Sequence, residues 1–92
     1  MENAVYFKCR NFNLGNWNDI LNIQKSWPTD EVIIFNKGTE NECEVKYMTY
    51  SRIDKYPIFK LIKGENKNVE SGVSGYINDT LFECKDVVII EV

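Results

Sequence analysis

Two short runs, Val32-Ile33-Ile34-Phe35 and Val87-Val88-Ile89-Ile90, are β-branched or aromatic at every position. A strand that is apolar on both faces asks to be covered on both. Against that demand the chain sets one substantial segment of helical period. From residue 17 to 27, steps of 100° gather Trp17, Ile20, Leu21, Ile23, Gln24 and Trp27 into one arc, with Asn18, Asp19, Asn22, Lys25 and Ser26 opposite. Asn16 suits an N-cap and Asp19 imitates the second member of a capping box. Pro28 ends the helix, because the residue before a proline is pushed out of the α region. About three turns of helix cover one face of a sheet, not two. The second face is therefore closed in one of three ways: the sheet curls into a partial barrel, the 69–77 segment packs across it, or another chain covers it.

The remaining segments read as strands and turns. Residues 4–10 alternate, with Val5, Phe7 and Cys9 facing one way and Tyr6, Lys8 and Arg10 the other. Residues 11–16 form a turn-rich connector. Residues 44–52 alternate again, Val45, Tyr47 and Thr49 against Lys46, Met48, Tyr50 and Arg52. The turn Asp54-Lys55-Tyr56-Pro57 then makes 43–53 and 58–63 an antiparallel hairpin. Gly72 and Gly75 interrupt 69–77 and suggest a bulged strand. Thr80-Leu81-Phe82-Glu83 fits the S/T-x-x-E capping pattern and predicts a short helical turn before a last strand over 86–92. The expected architecture is α+β in a single compact domain over 1–92. One amphipathic helix packs on a curved, mostly antiparallel sheet of five or six strands, in the order β-α-β-β-β-(short helix)-β, with a partial barrel as its closed form.

Composition narrows function chiefly by exclusion. The chain has no histidine, so triad-type, cysteine–histidine and histidine–metal chemistry lack their imidazole. Cys9, Cys43 and Cys84 are odd in number, widely spaced and without a C-x-x-C pair, and read as reduced, partly buried thiols. With 11 basic and 14 acidic side chains the net charge is −3, which disfavours nucleic acid and anionic membranes as partners. The start, Met-Glu-Asn-Ala, lacks the features of a secretion signal, and no apolar run reaches membrane-spanning length, so the expected location is cytoplasmic, of the cell or of a phage host.

The candidate constellations each have a plainer structural alternative. Glu40, Glu42 and Glu44, or Asp79, Glu83 and Asp86, are the candidate carboxylate groupings for acid–base work, and solvated surface charge is the favoured reading of both. Glu40 to Glu44 lacks the ladder of a calcium loop, and neither a metal nor a cofactor is expected. Ser71-Gly72-Val73-Ser74-Gly75 resembles a small backbone nest, which a turn or bulge explains as well. A base-stacking face would rest on Tyr6, Tyr50, Lys8, Arg10 and Arg52. Gln24, in the middle of the apolar arc, must find hydrogen-bond partners.

These exclusions lead to a non-catalytic module that binds and blocks a protein partner, of the immunity, antitoxin or phage anti-defence kind. Tyr47, Tyr50, Arg52, Tyr56 and Trp27 are its expected contact residues. The alternative is a small-molecule or nucleotide binder, a homodimer in one form, with Gln24, Gly72, Ser74 and Gly75 lining the pocket.

Overall fold

The computed structural model describes residues 4–14 and 20–91. Six strands alternate with two short helices: β1 (Val5–Leu14), α1 (Ile20–Lys25), β2 (Ile33–Phe35), β3 (Cys43–Tyr50), β4 (Pro57–Lys63), α2 (Lys67–Glu70), β5 (Val73–Ile77) and β6 (Thr80–Glu91). The sheet runs β2-β3-β4-β1-β6-β5 with every neighbouring pair antiparallel. Its two edges then meet: the Asn36 backbone N–H donates to the Ser74 carbonyl at 2.8 Å, and the Ser74 N–H donates to Asn36 Oδ1 at 3.0 Å. The sheet is a nearly closed barrel, and β5 is one of its strands, not a segment laid across a face. Register shifts at Arg10–Asn11 in β1 and near Met48 in β3 mark bulges, which bend a sheet tightly enough to curl.

The strand alternation explains the interior. Phe7 and Cys9 of β1 point inward as expected, and the bulge brings Phe12 inward too, so β1 continues through residues assigned above to a connector. Phe35, Val45, Phe59 and Phe82 complete a core in which four phenylalanine rings are fully buried. Ile20, Ile23, Gln24 and Trp27, four of the six residues of the arc read from the sequence, turn toward this core. Within the described residues the helix spans Ile20–Lys25, and the Ser26 and Trp27 N–H groups then donate three residues back, to the Ile23 and Gln24 carbonyls, which tightens the last turn. The expected cap at Asn16, its partner Asp19, and Trp17 lie outside the described residues. Trp27 closes the mouth where β2 begins, its ring 4.9 Å from Tyr47 and 5.6 Å from Phe82. At the opposite mouth α2 buries Asn68 and Val69.

Two local expectations are corrected. Thr80–Glu83 is strand, because Phe82 and Cys84 are needed inside the barrel and only a period of two delivers both. The short helix falls at Lys67–Glu70 instead. Likewise β2 and β6 are not buried on both sides: Ile34 and Ile90 face outward and are exposed. A curled sheet has only one interior, so one face of every strand remains outside.

Candidate binding surfaces

The residues expected to capture a partner divide sharply once the barrel forms. Tyr47 shares the inward face of β3 with Cys43 and Val45 and is only 3% exposed. Its hydroxyl donates to Gln24 Oε1 at 3.2 Å, and burial pushes its pKa up to about 12. Trp27 is 5% exposed. Neither belongs to a contact surface, and for Tyr47 the alternation with Val45 already placed it on the apolar side. Gln24 is also in the core, its amide donating to the Lys55 carbonyl at 3.0 Å, so it joins α1 to the hairpin.

Tyr50, Arg52 and Tyr56, by contrast, come together at the loop over residues 51–56 that joins β3 to β4. This loop is tied down from several sides. The Ser51 N–H donates to the Tyr56 carbonyl and the Lys55 N–H to the Ser51 carbonyl, both at 2.8 Å. Lys55 adopts φ 67°, turning its ammonium back to the Arg52 carbonyl at 3.1 Å, 5.9 Å from the Tyr50 ring centre. Tyr56 packs edge-on against Phe12 at 6.1 Å. On this braced turn Ile53, expected as the last residue of the strand over 43–53, lies beyond the end of β3 at Tyr50 and is 94% exposed. A large aliphatic side chain held in water on a rigid loop has lost entropy already and gains on meeting an apolar pocket.

Lys8 of β1 completes the brace, its Nζ 2.8 Å from Asp54 Oδ2. The Lys8 ammonium, with help from the Ser51 side chain and the Tyr56 N–H, holds the Asp54 carboxyl well below its ordinary 3.8, at about 2. Because the folded-state value is depressed, the stabilisation is complete above about pH 4 and is lost as pH falls toward 2. The effect is small, since the pair is partly open to solvent. In urea titrations the stability gap between wild type and Asp54→Asn should therefore shrink between pH 4 and 2. A gap that stays constant over that range would show that Asp54 does not titrate with folding.

The second surface lies where β2 meets β5. Gly75 is required there: a Cβ would stand 2.6 Å from Phe35 Cδ1 and 2.8 Å from the Ile34 carbonyl oxygen. Beside this close approach runs a groove of about 550 Å³ lined by Pro28, Val32, Ile34, Ser74, Tyr76 and Leu81. Tyr76 is 67% exposed, and its cross-strand partner Leu81 is exposed beside it. Of the alternative ligand set, Ser74 and Gly75 therefore share this groove. Gly72 does not line it, lying at φ +112° with the Cys84 carbonyl where a Cβ would go.

The other candidate groupings have structural partners. Asn36 Oδ1 takes the Ser74 N–H of the presumed nest. Glu42 accepts from the Gly38 N–H at 3.0 Å, and Asp86 is held by Arg10 at 3.0 Å. Lys8 and Arg10 are thus committed to carboxylates, which weakens a base-stacking face. Among the described residues no group of three or more cysteine, aspartate and glutamate side chains is placed to hold a metal, and no helix is long and apolar enough to cross a membrane.

All three thiols are buried. Burial pushes the Cys9 thiol up, aided by its hydrogen bond with Cys84, and burial with nearby Glu42 pushes Cys43 up to about 11. A thiol-reactive disulfide reagent should find none of the three in the native protein and all three in denaturant, at rates set by unfolding. Rapid native labelling of any one would show a mouth of the barrel to be open.

Comparison with protein-family models, curated proteins and solved structures returned no match.

Proposed function

We propose that this chain is a non-catalytic protein-binding module that neutralises its partner by occupancy, and that the 51–56 loop is its contact. The supporting observation is Ile53, exposed at the tip of a turn whose conformation is fixed before binding. Binding energy in such contacts concentrates in a few side chains, and preorganisation spares the cost of ordering them. Arg52 and Lys55 flank the tip while Asp54 is neutralised by Lys8, so the loop presents local positive charge on an acidic protein. A cytoplasmic target with an apolar pocket and an acidic rim fits this tip.

The test compares capture by wild type with capture by Ile53→Asp and Arg52→Glu. Ile53→Asp should weaken the captured complex by roughly 30-fold or more, the scale of a hot-spot loss. Its stability should stay within about 0.5 kcal/mol of wild type, because the side chain touches little. Retention of the same partner at full strength by Ile53→Asp would overturn the assignment. The small-molecule reading has Ser74 and Gly75 on the seam groove in its favour. It predicts a reproducible added mass on the purified protein in a native mass spectrum.

A further inference from the structure

The two surfaces are complementary to each other. The loop offers an aliphatic tip, Ile53, between two cations, Arg52 and Lys55. The groove offers an apolar floor of Val32, Ile34, Tyr76 and Leu81. Its surroundings are mainly acidic: Glu31 lines it, Glu83 is the cross-strand neighbour of Ser74, and Asp30 and Asp79 are exposed in the adjoining turns. Lys37 is the one cation among the lining residues. The ion pairs of the described residues use Asp54, Asp86, Glu44 and Glu65, and so leave the carboxylates around the groove out.

We infer that the groove receives the 51–56 loop of a second copy of this chain. Ile53 would sit on the apolar floor, and Arg52 and Lys55 would meet the acidic rim. About 550 Å³ is within the range of sites that enclose a small ligand, enough for one aliphatic side chain and the stems of its neighbours. Loop and groove are distinct patches, separated by β3 in one direction, so each loop-in-groove contact joins unlike surfaces and we take it as head-to-tail. Such contacts propagate into rings or chains unless one surface is blocked. The contact is small and charge-assisted, hence weak and sensitive to salt. It uses the loop assigned above to an outside partner, so partner and second copy compete for one tip.

Sedimentation equilibrium of the purified chain tests this without any partner. Between about 10 μM and about 1 mM the average mass should rise above one chain, and about 0.5 M salt should return it to the monomer. Ile53→Asp and Tyr76→Asp should each stay monomeric alone, with unchanged melts because both side chains are exposed. Mixed in equal amounts they should form a 1:1 dimer and nothing larger, since one supplies only a groove and the other only a loop. Leu81→Asp serves as a second groove variant, and Arg52→Glu should be rescued in trans by Glu31→Arg. A wild type that stays monomeric throughout, variants that associate as wild type does, or a mixture that fails to pair would each overturn the inference. Partner capture, measured separately at micromolar concentration, would stand or fall on its own.

Discussion

Replacement of Asn36 by alanine is expected to lower the unfolding free energy by about 3 to 4 kcal/mol, moving the melting temperature down by at least roughly 12 °C. No other polar side chain of the described residues joins so many parts of the fold. Its Nδ2 donates to the Asn68 carbonyl at 2.9 Å and the Gly72 carbonyl at 3.2 Å, tying β2 to both ends of α2. Its Oδ1 takes the Ser74 N–H, and its backbone N–H goes to the Ser74 carbonyl, which fastens the last seam of the barrel. It does this at φ 58°, a conformation asparagine tolerates and alanine resists. Two separable terms follow. Asn36→Gly should recover about 1 kcal/mol of the alanine penalty by removing the backbone strain alone. Asn36→Asp keeps the acceptor but turns a charged oxygen toward carbonyls, and should be at least as harmful as alanine. Urea unfolding of the three variants checks the order. An alanine variant within 1 kcal/mol of wild type would mean the seam is closed by packing, not by this side chain.

That hub was hidden in the sequence, where Asn36-Lys37-Gly38 reads only as the start of a polar loop. Loop chemistry is local and legible, but the partners at Asn68, Gly72 and Ser74 lie more than thirty residues away. What could be read was whatever obeys a short period. The inward set of β1, the β3–β4 hairpin and the buried arc of α1 all follow from alternation or from 100° steps. The two doubly apolar runs left a curled sheet as one of three closures, and they misled about burial, since Val32 and Ile34 are apolar for a surface and not for a second layer. Bulges escaped for a related reason. An extra residue near Asn11 keeps the strand going while breaking its period, and polar asparagines there look like a turn.

The contact residues were half legible on the same grounds. All five were chosen for residue type, and Tyr50, Arg52 and Tyr56 fall at a loop, where binding residues collect. Tyr47 and Trp27 were chosen for residue type, against the periodicity that put them inside. Ile53 escaped for the opposite reason: it continues the odd-numbered face of Val45, Tyr47 and Thr49 and so reads as the inward end of strand 43–53, whereas β3 stops at Tyr50 and leaves it in the loop.

Phe59→Ala should be the more damaging core change, costing about 3 to 5 kcal/mol from lost burial and the cavity left behind. The Phe59 ring is fully enclosed, with ring centres of Phe35 at 5.2 Å, Phe7 at 5.4 Å, Phe82 at 5.6 Å, Tyr47 at 5.7 Å and Trp27 at 6.1 Å. Those neighbours come from every side of the barrel, so the space cannot be refilled by shifting one element. A chain of 92 residues has a stability of only roughly 5 to 14 kcal/mol, and the loss is a large part of it. Phe59→Leu, which keeps most of the volume, should cost about 1 to 2 kcal/mol and remain folded enough to measure. Tyr76→Ala is the control, an aromatic of the outer face expected to change stability by less than about 0.5 kcal/mol. Urea midpoints and near-ultraviolet circular dichroism of the three variants give the comparison. If Phe59→Ala cost no more than Tyr76→Ala, the barrel would not be organised around its interior rings. The same ring lies two residues beyond Pro57, where β4 leaves the 51–56 loop. Phe59→Leu should therefore weaken partner capture less than Ile53→Asp does while destabilising the fold more, which separates a residue that supports the contact from one that makes it.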